Sequence, residues 1–312
     1  MATDKIPLVL AFTPNYFVPA ATCLYSILEH SDPQDSFQVI CLLTEELPES
    51  MKQALVQLGR GRLQLSYKDM KGKLSDIYID ERYTEAASYR LLLPELLLDH
   101  DKVLYIDCDV IVRNDLAALY KQTDISDYYL AAVFEASLES QEAYLAQLGL
   151  EAGEYFNSGF LLMNLKKLRE DEMVPKLLEA AKTPGLQFPD QDVLNQLCKG
   201  KVLGLPAYQN SIRTYFLPQY KQDFLRYYSP ADWQAVWQHG TIHYTGGKPW
   251  DTFTVQFNVW WDYYQDLPRT VKATWKLPKR MYWLYRFYCS GFGKYSLDSI
   301  QQCLRRYKYG VS

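Results

Sequence analysis

The chain has 312 residues and a formal net charge of −4, with 48% hydrophobic and 22% charged residues. This size and composition predict a well-buried core in one large domain or two modest ones. The six cysteines are scattered without a CxxC pair, and no apolar run reaches the roughly 18–20 residues of a spanning helix. We therefore expect a cytosolic protein with reduced cysteines, and no signal peptide, disulfide framework, zinc site or transmembrane segment.

In the first part of the chain, strand-like apolar runs alternate with helix-like runs. We predict strands at 7–12, 37–44, 63–70 and 102–112, and helices at 18–30, 48–59 and 84–97. Gly59 should end the second helix, and Pro94 should break the third. This alternation predicts an α/β fold with a mainly parallel central sheet. In such sheets ligands bind at the carboxyl ends of strands, where the strand order reverses.

After Leu130 the pattern changes. We predict strands at 128–135, 155–165 and 201–208 and helices at 166–181 and 193–198, and from about Leu217 the chain is aromatic and rich in loops. The end of the chain is basic, because residues 272–312 contain nine Lys and Arg residues against one acid, Asp298. A further helix is predicted at 295–310, with one apolar face formed by Leu297, Ile300, Leu304 and Tyr307.

Two aspartates, Asp107 and Asp109, follow the apolar run 103–106. Like charges this close repel each other, and burial adds to the cost unless a cation lies between them. Residues i and i+2 of a strand point to the same face, so both carboxylates should bind one divalent ion. Oxygen ligands favour Mn²⁺ or Mg²⁺, and replacing either aspartate with asparagine should stabilise the metal-free protein. The alternative is that both carboxylates only bond to nearby backbone at a strand end.

Six motifs in a fixed order between residues 7 and 250 resemble retaining glycosyltransferases of family 8. They are LAFTPNY, ASYRLLLPELL, VLYIDCDVIV, YFNSGFLLMNLKKLR, FPDQDVLNQL and IHYTGGKPW. The bacterial lipopolysaccharide α-galactosyl- and α-glucosyltransferases are the most similar type. The resemblance implies a GT-A fold, with a catalytic domain at 1–268 followed by the basic aromatic tail at 269–312. Phosphatases of the haloacid dehalogenase type also carry a DxD motif, but usually on their first strand, which disfavours them here.

The resemblance assigns Asp107, Asp109 and His243 as metal ligands. His243 has an alternative as an ordinary loop histidine, and Arg90 has one as a surface arginine. Arg90 and Lys248 are expected to stabilise the diphosphate that leaves, and the glycines before Lys248 to let backbone approach it. Together the residues expected to bind the donor are Ala11, Thr13, Asn15, Tyr16, Arg90, Asp107, Cys108, Asp109, Glu135, Asn157, Ser158, Asp190, Gln191, His243, Gly246 and Lys248.

The catalytic residues expected from the resemblance are Asp190, Gln191, Asp192, Arg90 and Lys248. Asp190 should bond sugar hydroxyls and Gln191 should lie near the anomeric carbon, while Asp190 alone could also be a helix N-cap. Gln191 is a poor nucleophile, and whether Asp192 reaches the anomeric carbon is open. A covalent intermediate and front-face attack by the acceptor therefore both remain compatible with the sequence.

Two positions depart from the family pattern. Thr13 replaces the aspartate that usually bonds uracil, although Asn15 and Tyr16 match. Glu135 stands where the galactosyltransferase-like enzymes have an aspartate that touches the sugar. The extra methylene leaves the donor hexose open between galactose and glucose.

The expected function is metal-dependent transfer of a hexose from a UDP-sugar to a glycan or lipid-linked oligosaccharide, in the synthesis of lipopolysaccharide or another surface polysaccharide. The tail is expected to contact the anionic inner face of the cytoplasmic membrane. The alternative is that the tail packs on the body of the protein. No nucleic-acid partner is expected. The alternatives are a self-glucosylating initiator resembling glycogenin and a catalytically inactive protein that binds sugar nucleotides.

Overall fold

The computed structural model describes residues 5–74, 77, 85–297 and 299. Within these residues the strands are β1 Ile6–Phe12, β2 Phe37–Leu43, β3 Leu63–Asp69, β4 Lys102–Ile106, β5 Val110–Ile111, β6 Leu130–Ala132, β7 Phe160–Asn164, β8 Val202–Gly204 and β9 Ile242–His243. The α-helices are α1 Phe17–Glu29, α2 Glu49–Gly59, α3 Glu85–Ser88, α4 Leu93–Leu96, α5 Leu116–Gln122, α6 Glu142–Gln147, α7 Leu165–Glu170, α8 Met173–Ala180, α9 Pro189–Leu197, α10 Lys221–Leu225, α11 Pro230–His239, α12 Phe257–Asp266, α13 Arg269–Lys272 and α14 Lys279–Tyr288.

The central sheet has the strand order β3-β2-β1-β4-β7-β6-β8. The pairs β1–β2, β2–β3, β1–β4 and β6–β8 are parallel, and β7 is antiparallel to β4 and β6. The predicted α/β fold with a mainly parallel sheet is therefore confirmed. The chain runs outward from β1 to β3 and then returns to β4 on the other side of β1, so the strand order reverses between β1 and β4.

Both faces of this sheet are buried, and β1 shows why. Leu8, Leu10 and Phe12 belong to one hydrophobic cluster, whereas Val9 belongs to the cluster on the opposite face. Alternate residues of a strand point to opposite faces, so an uninterrupted apolar strand fits only between two covering layers. The helix α2 ends at Gly59 as predicted, and Arg60 follows it in the left-handed conformation with φ of 46°.

The predicted strand 102–112 is interrupted. β4 ends at Ile106, and β5 leaves the central sheet to pair with β9 in a separate two-stranded sheet. Asp107 and Asp109 lie in the turn between β4 and β5, so the expectation that they share one face of a strand is wrong. In this pairing Val110 lies opposite His243. The small sheet, and not a strand face, brings the histidine to the two aspartates.

Other elements are shorter or divided. The predicted helix 166–181 is α7 and α8, because Glu172 between them adopts a left-handed conformation with φ of 50°. The predicted helix 84–97 is α3 and α4 joined by a 3₁₀ turn at Tyr89–Leu92. The predicted strands 128–135, 155–165 and 201–208 shorten to β6, β7 and β8, and the helix expected at 193–198 begins earlier, as α9.

The described beginning of the tail packs on the body. Val271, Met281 and Tyr285 are buried, and the Tyr285 hydroxyl donates to Asp262 Oδ1 of α12 at 2.7 Å. The helix predicted at 295–310 lies largely outside the described residues. Among the described residues, none of the helices combines the length and the apolar character needed to traverse a bilayer.

Candidate active site

Two adjoining clefts open at the carboxyl ends of β1 and β4. The larger cleft has a volume of about 710 Å³ and is lined by Ala11, Phe12, Thr13, Pro14, Asn15, Tyr16, Glu45, Ala86, Ala87, Tyr105, Asp107, Cys108, Asp109, Gly246 and Lys248. The smaller cleft, of about 350 Å³, is lined by Ala87, Arg90, Asp107, Asp109, Glu135, Gln141, Asn157, Ser158, Gly159, Phe188, Asp190, Gln191, Ile212, Thr214, His243, Thr245, Gly246 and Lys248. Ala87, Asp107, Asp109, Gly246 and Lys248 line both, so the DxD motif lies at the boundary between the two clefts.

The three expected metal ligands lie together. One ligand atom each from Asp107, Asp109 and His243 can be chosen so that all lie within 4.8 Å of one another. His243 Nδ1 is 3.0 Å from the Asn210 side-chain oxygen. When Nδ1–H donates to this oxygen, Nε2 keeps its lone pair and faces the carboxylates, at 3.4 Å from Asp109 Oδ1. Two carboxylates and an imidazole so arranged fit a divalent cation.

Gly159 leaves the space that this cluster needs. A Cβ atom at this position would lie 2.3 Å from His243 Cε1 and 2.4 Å from Asp107 Oδ2, where a real Cβ cannot fit. The Gly159 backbone oxygen also accepts a hydrogen bond from the Asp107 N–H at 2.8 Å. Glycine is therefore required here by the close approach of two ligand side chains to the backbone.

Both aspartates already have cationic partners in the protein. Lys248 Nζ forms an ion pair with Asp109 and also donates to the Tyr244 carbonyl oxygen at 2.8 Å. Burial alone would raise the pKa of the Asp109 carboxyl, but the charge of Lys248 opposes it and holds that pKa below its usual range. The expectation that the two carboxylates chiefly repel each other needs correction, because the fold favours the ionised form of Asp109.

Arg90 lies behind the carboxylates and is only 2% exposed. Its guanidinium contacts Asp107 Oδ1 at 2.8 Å and Asp190 Oδ2 at 3.2 Å, and it donates to the Ser158 hydroxyl at 2.8 Å. It also stacks over the Tyr105 ring at 4.3 Å. Arg90 is therefore not a surface arginine, and its fork holds both carboxylates in fixed orientations.

A hydrogen-bonded network connects the smaller cleft with His243. Gln191 Oε1 accepts from the Asn157 side-chain amide at 3.1 Å and from the Ser158 N–H at 2.9 Å. The Asn157 oxygen accepts in turn from Asn210 at 3.1 Å, and Asn210 holds His243. Asn210 was not expected from the sequence, because it lies outside every motif.

Asp190 lies in the first turn of α9 and does not cap it, since Phe188 is the N-cap residue and Pro189 the first helical residue. Asp190 Oδ2 accepts from the Ser158 hydroxyl at 3.0 Å as well as pairing with Arg90. Its carboxylate lines the smaller cleft next to Gln191. The expected pair Asp190 and Gln191 is thus brought together with Asn157 and Ser158.

Glu135 also lines the smaller cleft, as its alignment with a sugar-contacting residue suggested. Burial raises the pKa of the Glu135 carboxyl to about 7, against the lowering effects of an Asn157 hydrogen bond and of His243. The Glu135 N–H donates to the Tyr155 backbone oxygen at 2.7 Å, which ties this segment to the one that leads into Asn157.

Asp192 does not take the position expected of a catalytic residue. Its side chain has no exposed surface, and it lines neither of the two clefts in the described part of the chain. Its oxygens accept hydrogen bonds from the Tyr144 and Tyr155 hydroxyls, each at 2.5 Å. The sequence left open whether Asp192 reaches the anomeric carbon, and in this structure its carboxylate is turned away from both clefts.

The loop after β1 forms the wall of the larger cleft. Ala11, Thr13, Asn15, Tyr16 and Cys108 all line it, as expected, and Tyr16 also meets the Trp250 ring edge-on at 5.9 Å between centroids. The clefts also contain residues that no motif indicated: Glu45 in the larger one and Gln141, Ile212 and Thr214 in the smaller. The buried Thr214 hydroxyl has no hydrogen-bond partner within the described residues.

The chain is similar to known bacterial enzymes. A sequence model described as Glycosyl transferase family 8 matches residues 7–254. The lipopolysaccharide 1,2-glucosyltransferase of Escherichia coli K12 is 30% identical over 69% of this chain and 66% of that protein. The lipopolysaccharide 1,3-galactosyltransferase of Salmonella typhimurium is 28% identical over 80% of this chain and 74% of that protein.

The galactosyltransferase LgtC, solved with donor and acceptor sugar analogues, is similar in structure. Its TM-score is 0.70 at 26% identity, covering 86% of this chain and 100% of that one. This likeness confirms the expected GT-A architecture. For six further curated relatives, the chain spans only 25 to 62% of their length.

Proposed function

The chain belongs to glycosyltransferase family 8, and from this we propose that it transfers a hexose from a UDP-sugar to a glycan hydroxyl with retention of the α configuration. One observation carries the proposal: the ligand atoms of Asp107, Asp109 and His243 converge at the boundary between two clefts. A nucleotide fits the larger cleft and a sugar the smaller one, which leaves the diphosphate beside these ligands.

Asp107, Asp109 and His243 would hold Mn²⁺ or Mg²⁺, and a bound ion would neutralise charge on the departing diphosphate. Lys248 lines both clefts and brings a further positive charge to the same boundary. Gly246 adopts a φ of 97°, a conformation that glycine tolerates and that lets backbone approach a diphosphate. The buried guanidinium of Arg90 orients the carboxylates of Asp107 and Asp190 through its ion pairs with both.

The donor sugar is proposed to be galactose or glucose, in line with the names of the two lipopolysaccharide enzymes. Asp190 and Glu135 line the smaller cleft, where their carboxylates would accept hydrogen bonds from sugar hydroxyls. Gln191 lines the same cleft and accepts from the Asn157 side-chain amide. Closely placed polar groups of this kind discriminate between hexoses that differ in one hydroxyl.

A screen of UDP-sugars tests this proposal. Purified protein with Mn²⁺ should hydrolyse UDP-galactose or UDP-glucose in preference to other UDP-sugars, and the D109N variant should not. Absence of turnover with retained binding of UDP and Mn²⁺ would instead indicate a catalytically inactive binding protein. A hexose found by mass spectrometry on the protein itself would indicate a self-glucosylating initiator.

The acceptor is proposed to be a glycan or lipid-linked oligosaccharide reached at the inner face of the cytoplasmic membrane. In the described part of the tail, Trp283, Phe292 and Tyr295 are 67%, 76% and 75% exposed. The exposed cations Arg286 and Lys294 accompany them. Exposed aromatic rings together with cations suit an anionic membrane surface.

Vesicle co-sedimentation tests the membrane contact. Removal of the tail from residue 269 would strip Met281 and Tyr285 from the core, so point substitutions are the better variants. The full chain should pellet with anionic vesicles at low salt, and a W283Q/F292Q variant should pellet less. L98Q, which replaces an apolar side chain 69% exposed elsewhere, is the matched control. If the full chain remains in the supernatant under all conditions, the membrane contact is wrong.

A further inference from the structure

Asp192 joins three segments that each contribute to the smaller cleft. Its Oδ1 accepts from the Tyr155 hydroxyl at 2.5 Å, and its Oδ2 accepts from the Tyr144 hydroxyl at 2.5 Å and the Phe188 N–H at 2.9 Å. Tyr155 precedes the cleft residue Asn157, and Tyr144 follows the cleft residue Gln141. Phe188 lines the cleft itself. One buried carboxylate thus holds three parts of the wall.

We propose that Asp192 is a positioning residue that fixes the geometry of the smaller cleft and is not the nucleophile of the reaction. This inference rests on the proposed function, in which the smaller cleft binds the donor sugar. Both oxygens are occupied as acceptors, and the side chain has no exposed surface. To attack a sugar carbon, the carboxylate would have to release both tyrosines and leave its buried site.

Helix capping does not explain this arrangement. A carboxylate in the first turn of α9 is favoured by the helix dipole, and capping accounts for its bond to the Phe188 N–H. The two phenol hydroxyls come from segments 48 and 37 positions away in the chain. These long-range bonds set the position of the Gln141 and Asn157 segments relative to Gln191. The bond to the Phe188 N–H alone would not connect either segment to α9.

The first experiment compares UDP with UDP-sugar binding by calorimetry in the presence of Mn²⁺. The variants are Y155F, Y144F and D192N, because each removes or weakens one bond of the cluster. Each should weaken UDP-sugar binding by about 10-fold, the effect of one hydrogen bond to a charged group, while UDP affinity changes little. Among the described residues, Tyr144, Tyr155 and Phe188 donate hydrogen bonds to the Asp192 side chain, and none of them lines the larger cleft, so the two ligands should respond differently.

A double-mutant cycle then tests whether these residues act as one unit. The Y155F/D192N variant should bind UDP-sugar no more than about twofold more weakly than the worse single variant, because the same bond is lost in each. Y129F is the matched control, since the Tyr129 hydroxyl donates to Asp171 at 2.6 Å away from the clefts. This variant should behave as the wild-type protein. Y155F keeps the carboxylate and remains informative if D192N does not fold.

The kinetics of donor hydrolysis can overturn the proposal that Asp192 is a positioning residue. The proposal is overturned if D192N loses more than about 1000-fold in kcat while Y155F and Y144F retain wild-type values. It is also overturned if azide restores turnover of D192A and yields the β-glycosyl azide, in which azide nitrogen bonds to the anomeric carbon and UDP leaves with the bonding electron pair. Equal loss of UDP and UDP-sugar affinity in all three variants would contradict it as well. Absence of wild-type hydrolysis would contradict the proposed function instead, and the binding comparison would still test Asp192.

Discussion

The substitution G159A tests how closely the metal ligands approach the backbone. The added methyl group would lie 2.3 Å from His243 Cε1 and 2.4 Å from Asp107 Oδ2, whereas ordinary contact begins at 3.4 Å. The backbone cannot easily yield, because the Gly159 oxygen accepts the Asp107 N–H at 2.8 Å. The two ligand side chains must therefore move apart by about 1 Å, a distance set by the difference between these contacts.

A displacement of this size should affect metal binding far more than folding. Disturbing the orientation of metal ligands typically costs 10- to 100-fold in affinity, and we expect G159A to weaken Mn²⁺ binding by about that factor. Donor hydrolysis should fall by about 100-fold, as for a 1 Å misplacement of reacting groups. The φ angle of Gly159 is not in the left-handed region, so alanine adds no backbone strain.

Mn²⁺ titration followed by calorimetry or electron paramagnetic resonance, with and without UDP, measures the first effect. G291A is the matched control, because a Cβ there meets no atom within 4 Å. Thermal unfolding should show both variants folded. If G159A binds Mn²⁺ within about threefold of the wild-type protein, less than the loss expected from misplaced ligands, the reasoning about this cluster is refuted.

Three further predictions concern the carboxylates of the clefts. D109N should abolish metal-dependent turnover and should lower the melting temperature near pH 7, because the pKa of Asp109 is depressed and its ionised form pairs with Lys248; the stability difference from wild type should shrink as the pH falls below about 4. An unchanged or raised melting temperature would support repulsion between the aspartates instead. E135D should change the ratio of UDP-galactose to UDP-glucose hydrolysis, since the carboxylate retracts by about 1.5 Å, one carbon–carbon bond; an unchanged ratio would mean that Glu135 does not touch the sugar. Burial raises the pKa of Glu135 from 4.5 to about 7, so the unfolded chain releases this proton first and the free energy of unfolding should fall as the pH rises through that interval. In E135Q this component of the slope, measured by urea unfolding at several pH values, should disappear.

Most of the fold, and most of the residues that line the candidate site, could be predicted from the sequence. Apolar runs in the sequence predicted β1, β2, β3 and β4. The alternation of these runs with helix-like runs predicted the mainly parallel sheet. Asp107, Asp109 and His243, the expected metal ligands, each lie in one of the motifs, and the structure brings these three side chains together. The argument that placed Asp107 and Asp109 on one face of a strand was wrong, however. The turn after β4 and the β5–β9 pairing bring them together, and a two-residue strand is too short to recognise from periodicity.

Partners that depend on long-range contacts were beyond the sequence. Asn210 lies outside every motif, yet it orients His243 from 33 positions away. Arg90 was expected to stabilise the diphosphate, and the structure adds contacts to Asp107, Asp190 and Ser158 that the sequence did not indicate. An arginine suits carboxylate and phosphate equally well, so residue type alone could not decide between these ligands. The choice is made by burial, which only the packed structure reveals.

The roles within the DQD motif follow from where the helix begins. The sequence predicted a helix only at 193–198, with Asp190 as a possible N-cap, and so did not settle the directions of Asp190, Gln191 and Asp192. In the structure α9 begins at Pro189, a residue favoured at the first helical position. Successive helical residues are rotated by about 100°, so Asp192 is rotated by about 200° from Asp190 and points to nearly the opposite side of the helix. Asp190 therefore faces the cleft, and Asp192 must face the interior, where the two tyrosines meet it. If Pro189 is recognised as the first residue of the helix, the sequence alone predicts that Asp190 and Asp192 point to opposite sides of it.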